Sequence, residues 1–437
     1  MAGSPFPRTS RAPRTSRAPR AALHRGAAVA AALTFAAAAA PAQAASAPER
    51  TTLSPTADPS TSQTVTWRAA DDYAPVLEIA PASAPDQVRR VEGERTGSTD
   101  GVHYRATADG LEPGTDYRYR VGSAEGGAFG DWLAFETAAD GPDPFRFLYF
   151  GDVQNDITGG AAPTIEAALA DAPDAELAVH AGDLVNSGGS DAEWGEWFGA
   201  FGQDATGSMN QVTAPGNHEY SGWSITDHWG LQFPGAGNGP DDDDLEDTVY
   251  YTDHQGVRFV VLNSNYRNAP WFDTKDWLED QQYWLRGVLE DNPNPWTVVT
   301  FHHPVFSNSP TRDNGRLRDM WLEVFEEYDV DLVLQGHDHG YGRGNLVDNR
   351  TGDPDVQTGP VYAVAVTGPK MYGVSDANWT DNGAEARVQR EEAQTYQIVE
   401  VDGSRLDYVS KTREGEIVDR FHITKGGDGK RVTDDLP

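Results

Sequence analysis

Five short polar motifs lie in order along the chain, each at the end of an apolar run. They are Gly151-Asp152-Val153-Gln154, Gly182-Asp183-Leu184-Val185-Asn186, Gly216-Asn217-His218-Glu219, His302-His303-Pro304 and Gly336-His337-Asp338-His339. Between them they offer Asp152, Asp183, Asn217, His302, His337 and His339 as oxygen and imidazole donors, which hard and borderline metals accept. One motif alone is weak evidence. The set supplies enough donors for two metal ions sharing one carboxylate, and such a pair clamps both the attacking and the leaving oxygen of a phosphate ester. With no cysteine in the sequence, thiolate sites and disulfides are excluded.

Donors this far apart in sequence need a scaffold that brings them together. The runs 145–150, 176–181, 211–214, 257–263, 296–301 and 330–334 read as strands, and 163–172, 190–201, 277–289 and 317–328 as helices. Strands alternating with helices predict a layered α/β domain. The motifs then sit just beyond the strand ends, where α/β sheets build their sites. The segments 361–366, 395–401, 406–410 and 417–423 read as further strands, and the whole domain is expected over 145–425, with a tail at 426–437.

Upstream, 63–138 has an all-β pattern. Gln63-Thr64-Val65-Thr66-Trp67 alternates polar and apolar, and Leu111-Glu112-Pro113-Gly114-Thr115-Asp116-Tyr117 is a turn entering a strand. This phrase resembles the fibronectin type III sandwich, with Tyr117 a candidate tyrosine corner. Residues 45–62, rich in Ser, Thr and Pro, read as a linker. Residues 1–44 read as a cleaved export signal: six arginines and no acid, an apolar stretch from 26 to 40, and a small-x-small site ending at Ala44. A secreted protein without a membrane span is the expectation. Formal net charge is -34 in 437 residues, which disfavours nucleic acid and anionic membranes as partners. Bound cations would dominate the local field, so an anionic substrate remains compatible. The acidic run 241–247 reads as a solvated loop.

Taken together the motifs resemble the calcineurin-like metallophosphoesterase superfamily. The last of them, extended to Gly336-His337-Asp338-His339-Gly340-Tyr341-Gly342-Arg343, is similar to the purple acid phosphatase form, Gly-His-x-His-x-Tyr-x-Arg. The resemblance implies a four-layer α/β/β/α sandwich behind a small all-β, fibronectin type III-like sandwich. It implies two metal ions, of iron, zinc or manganese. The first would take Asp152, Asp183 and His339, and the second Asp183, Asn217, His302 and His337. His218 would serve as acid toward the leaving oxygen with Glu219 orienting it, while a metal-bound hydroxide attacks phosphorus in line.

Two positions depart from that pattern. The purple enzymes carry Tyr where this chain has Asn186, so no phenolate is available to favour ferric iron or give a charge-transfer colour. Gln154 stands where many relatives have a metal-binding His, and is a candidate for weak ligation or a supporting hydrogen bond. Arg312, Arg316, Tyr341, Arg343 and Lys370 are candidate substrate contacts, each with an ordinary packing or ion-pair alternative. His303 is expected to pack beside the site, His180 to be a core histidine, and Trp223, Trp229 and Trp271 to wall a pocket or fill the core. The implied function is hydrolysis of small phosphate monoesters. The alternatives are a phosphodiesterase or nucleotide pyrophosphatase on the same site, or a non-catalytic binding protein that retains the fold. Oligomeric state is not legible in the sequence.

Overall fold

The computed structural model describes residues 46–125, 128–269 and 274–435. The expected export segment and Trp271 lie outside them. Phe145–Phe150, Leu177–Ala181 and Asn210–Ala214 pair as parallel neighbours. Their almost unbroken burial fits strands covered on both faces. Thr395–Asp402 then joins Phe145–Phe150 in antiparallel fashion, and Arg405–Thr412, Ile417–Gly426 and Gly429–Asp434 extend the same sheet.

A second sheet runs in the order Tyr250–His254, Val257–Val261, Trp296–Thr300, Leu332–Gln335, Val361–Val364, Tyr341–Leu346 and Ala384–Arg390. The sheets face one another through Phe147, Val179 and Val212 on one side and Phe259, Val298 and Leu334 on the other. The helices Ala162–Asp171 and Asp191–Thr206 cover the first sheet, burying Ile165, Trp194 and Trp197 against Leu148 and Phe150. Ser190 caps the second of these helices by accepting from Glu193 N. Truncating a buried Trp of this kind costs roughly 3–5 kcal/mol. Thr274–Glu290 and Glu323–Glu327 cover the other sheet through Leu278, Leu285, Val324 and Phe325. The four-layer α/β/β/α order expected from the sequence is the observed one. His180 is a core residue as expected, with Nε2 on Gln211 Oε1 at 2.9 Å.

The all-β region is a sandwich. One of its sheets is Arg89–Glu92, Pro75–Pro81, Asp116–Ser123 and Leu133–Glu136. It packs through Leu77, Ile79 and Tyr119 onto Val65, Trp67 and Tyr104 of the other. The Tyr117 hydroxyl accepts from Glu112 N at 2.9 Å, tying the strand back to the preceding turn.

Three boundaries differ from the sequence reading. The expected linker 45–62 contains the strand Glu49–Ser54, which pairs with Ser62–Ala69 and, at Leu53 and Asn210, in parallel with Asn210–Ala214. One sheet of the sandwich therefore continues into the large sheet, giving twelve strands in all. Arg50 Nη1 donates to Asp191 Oδ1 at 2.7 Å and fastens this junction to the helix behind it. The expected tail contains the strand Gly429–Asp434. The expected helix over 317–328 is broken into Gly315–Leu317, a wide turn at Arg318–Leu322, and Glu323–Glu327. Among the described residues no helix is long and apolar enough to cross a membrane.

Candidate metal centre

Five strands end at one edge of the facing sheets, and each hands its chain to a motif. Phe145–Phe150 leads to Asp152, Leu177–Ala181 to Asp183, Asn210–Ala214 to Asn217, Trp296–Thr300 to His302, and Leu332–Gln335 to His337. Within each sheet these strands are parallel, so their carboxyl ends coincide. The turns are sharp. Asp152, Asp183, His337 and His339 all have positive φ, at 24°, 52°, 77° and 44°. Non-glycine residues there store about 1–3 kcal/mol each and persist where the surroundings hold them. Two glycines make room. A Cβ on Gly216 would lie 2.1 Å from Asp183 Oδ1, and one on Gly336 would lie 2.4 Å from Asp152 Oδ2.

The six expected donors converge. His302 Nε2 lies 3.2 Å from Asp183 Oδ2, 3.3 Å from Asn217 Oδ1 and 3.0 Å from His337 Nδ1. On the other side of Asp183, His339 Nε2 is 3.4 Å from Asp152 Oδ1. Backbone carbonyls fix the rings. His302 Nδ1 is 2.9 Å from Ala181 O, and His339 Nδ1 is 2.7 Å from Lys370 O. Donation through Nδ1 leaves each Nε2 facing the cluster, the arrangement of supported metal-ligating histidines.

Asp152 Oδ1 is buried without a hydrogen-bond partner, while its Oδ2 accepts from His337 N. A carboxyl oxygen facing an imidazole nitrogen needs a proton or a metal cation between them. The donor set of two carboxylates, one amide and three imidazoles suits borderline divalent ions. The residues fit the group that the sequence implies.

The charges agree. Burial, reinforced by Asp183, pushes the Asp152 carboxyl well above its usual range. Burial acts the same way on Asp183, but His302 and His218 outweigh it and hold that carboxyl below the usual range. For His302 burial is overcome by Asp183 and Asp152, raising the imidazole to about 9. Burial lowers His339 to about 4 and His337 well below its ordinary value, which keeps both as neutral donors.

Gln154 belongs to the cluster and Asn186 does not. The buried Gln154 side chain places Nε2 2.8 Å from Asp183 Oδ2 and 3.2 Å from His339 Nε2, with Oε1 unpartnered. The Asn186 side chain turns away and accepts from Asn155 Nδ2 at 2.7 Å.

The expected pairing of Glu219 with His218 is absent, and this role is corrected. Glu219 is fully buried. It accepts from Gly216 N at 2.7 Å and from Asp183 N and Leu184 N, both at 2.9 Å. It thus clamps the second motif to the third. Burial, with Asp183 nearby, raises its carboxyl to about 7. His218 is oriented instead by the Asn186 carbonyl, 2.6 Å from Nδ1. That contact leaves Nε2 toward the cluster, 4.0 Å from Asp183 Oδ2, on a side chain 28% exposed.

Of the expected substrate contacts, two are corrected outright. Tyr341 and Arg343 are buried between the sheets, where Tyr341 Oη donates to Asp419 Oδ2 at 2.7 Å and Arg343 Nε to the same oxygen at 2.8 Å. They brace the core and do not face the cluster. Arg312 does reach it, donating to His337 O and, at 3.1 Å, to Asp338 Oδ1. Arg316 is exposed on Gly315–Leu317. Lys370 lies at the rim, joined to His339 through its carbonyl.

His303 packs beside the site as expected, its ring 4.2 Å from that of His337 and its Nδ1 3.0 Å from Ser264 Oγ. Trp229 is core, whereas Trp223 is 61% exposed. Asp338 has a role the sequence reading did not assign. It is fully buried and accepts from Ser307 Oγ at 2.7 Å and Asn308 N at 2.6 Å, holding the turn that presents His337 and His339. Its place between the two candidate ligands His337 and His339 was the available signal.

Comparison with known proteins agrees with this geometry. Residues 145–341 match the calcineurin-like phosphoesterase family, and residues 48–137 match the purple acid phosphatase N-terminal domain. Purple acid phosphatase 23 of Arabidopsis thaliana is 28% identical over 324 residues, which cover 65% of this chain and 66% of the relative. Purple acid phosphatase 15 of the same plant is 26% identical, over 61% of this chain and 53% of its own. The chain thus spans less than two thirds of the length of these relatives. A purple acid phosphatase from yellow lupin seeds (Lupinus luteus) shares the fold, with a TM-score of 0.70 over 87% of this chain and 74% of its own at 16% identity. The two matches stand in tandem along the chain, that to a purple acid phosphatase N-terminal domain first and that to a calcineurin-like phosphoesterase domain after it.

Proposed function

We propose that this chain is an exported, dinuclear metal-dependent phosphoesterase acting on small phosphate monoesters. The observation that carries the reading is the position of Asp183, between Gln154 and His339 on one side and His302 and Asn217 on the other. Asp152, Asp183, His339 and Gln154 would hold the first metal, and Asp183, Asn217, His302 and His337 the second. When bound, such metals neutralise phosphate oxygens and make water nucleophilic near neutral pH.

The protein's own part is placement and proton transfer. With Nδ1 fixed on Asn186 O, the His218 ring can present a proton at Nε2 to a leaving oxygen above Asp183. Retention of all six donors and His218 favours catalysis over a binding-only role. The arginine-rich, acid-free start and the small-x-small sequence at Ala44 support export.

A panel of phosphoesters tests the reading. Nitrophenyl phosphate should turn over faster than bis-nitrophenyl phosphate; the reverse order would replace the monoester assignment with a diester one. In His218→Ala, alkyl phosphates should slow by roughly 10²–10⁴-fold and nitrophenyl phosphate much less, with bound metal retained. Equal loss on every ester would remove the acid role.

Gln154 provides a separate check on the first position. Gln154→Ala should weaken one metal equivalent by about 10–100-fold and spare the other. A competitive titration with a metal-sensitive dye resolves the two steps. Two unchanged affinities would leave Gln154 with only its hydrogen bond to Asp183.

A further inference from the structure

A pair of cations and one aromatic ring stand at the rim beside His339, outside the donor cluster. The Tyr372 ring is 4.6 Å from the His339 ring. Lys370 Nζ lies 5.6 Å from the Tyr372 ring centroid, and the Arg312 guanidinium carbon lies 5.2 Å from it. The segment is pinned to the site. His339 Nδ1 contacts Lys370 O at 2.7 Å, Tyr372 N donates to His339 O at 2.9 Å, and Gly368 N donates to Asp152 O at 2.7 Å.

The chain carries 68 acidic residues against 34 lysines and arginines. In so acidic a protein a lysine is readily paired, and Lys411, Lys425 and Lys430 all hold carboxylates. Lys370 departs from this: among the described residues no carboxylate lies within ion-pair distance of it. Arg312 is only partly satisfied, with a single carboxylate contact, at 3.1 Å to Asp338. An unpaired ammonium beside a site built for cations is electrostatically unfavourable unless an anion offsets it. A single phosphate drawn to the metals is already neutralised there. A second phosphate attached to it extends past the donor cluster and can meet Lys370 and Arg312.

We infer that Lys370 and Arg312, spaced by Tyr372, form a subsite for a second phosphate joined to the scissile one, as in a nucleoside diphosphate or inorganic pyrophosphate. The inference rests on the phosphoesterase reading of the same site. In hydrolysis of such a substrate, the water oxygen bonds to the terminal phosphorus and the bond from that phosphorus to the bridging oxygen breaks. The bridging oxygen stays on the departing phosphate, whose charge Lys370 offsets, and the released proton passes to solvent.

The test uses the full metal-loaded chain and two ratios. One is the ratio of dissociation constants for inorganic phosphate over pyrophosphate, by calorimetry. The other is the ratio of kcat/KM for ADP over AMP. Lys370→Ala should lower both ratios by about tenfold, mainly through KM in the second, and Lys370→Arg should restore most of the loss. Tyr372→Leu should lower them in the same direction by releasing both cations. The proposal is overturned if the wild type binds pyrophosphate no better than phosphate, or if Lys370→Ala leaves the binding ratio unchanged. Failure to hydrolyse any ester would sink the phosphoesterase reading instead, and the binding ratio would still decide the subsite.

Discussion

Asp183→Ala should empty both metal positions at once. Its carboxylate touches side chains of both donor sets, with Oδ2 2.8 Å from Gln154 Nε2 and 3.2 Å from His302 Nε2. Its Oδ1 accepts from His218 N at 2.9 Å, which fixes the third motif against the second. Removal leaves Asp152 as the one carboxylate among the three ring donors His302, His337 and His339. Loss of a supporting group around a metal typically costs 10–100-fold in affinity, so loss of a shared ligand should cost more than about 10³-fold at each position.

Elemental analysis after gel filtration should therefore find two equivalents in the wild type and close to none in the variant. Ester turnover should fall by at least about 10⁴-fold. Asp152→Ala is the informative control. Its Oδ1 faces His339 Nε2 and its Oδ2 accepts from the His337 backbone, not its ring, so as a ligand of the first position alone its loss should leave one equivalent. An Asp183→Ala protein that still carries two equivalents would end the shared-ligand assignment, whatever its activity.

Much of this centre was legible because strand ends and ligand types are local facts. A buried run such as Leu177–Ala181 followed by Gly182 and Asp183 announces both the strand and the turn that exposes the carboxylate. What was not legible depended on pairing across long distances. Glu49–Ser54 resembles a Ser- and Thr-rich linker until it is seen beside Asn210, well over a hundred residues away. Tyr341 and Arg343 were drawn toward the site by the motif they end, yet alternation argued otherwise. On a strand, residues two apart share a face, and here Gly340, Gly342 and Gly344 occupy the opposite one. A Cβ on Gly342 would meet Asn308 and one on Gly344 would meet Glu385 O and Trp379, so that face is closely covered. Tyr341 and Arg343 take the other face, toward Asp419. The glycine alternation was in the sequence, but its meaning depended on which sheet face was which.

Glu219 teaches the same point with a larger consequence. As a partner of His218 it would affect only the proton-transfer step. As built, it receives four backbone N–H groups, from Gly216, Asp183, Leu184 and, at 3.3 Å, Val185. Hydrogen bonds to a charged acceptor contribute about 1.5–3 kcal/mol each, and stranding their buried donors is the costly part. Glu219→Ala should therefore lower stability by about 3–5 kcal/mol, since the bonds share one carboxylate and do not add. Glu219→Gln should not rescue it, because an amide offers one acceptor oxygen and turns an NH₂ toward the remaining donors.

Metal affinity should fall in both variants, because the clamped turn is the one that carries Asp183 at positive φ. Denaturant unfolding and metal titration measured together separate the two roles. A clamp moves the unfolding midpoint and both metal affinities, whereas an orienter of His218 moves neither and changes only turnover of esters with poor leaving groups. A Glu219→Gln protein of wild-type stability with two tightly held metals would return the residue to the role that the sequence first suggested.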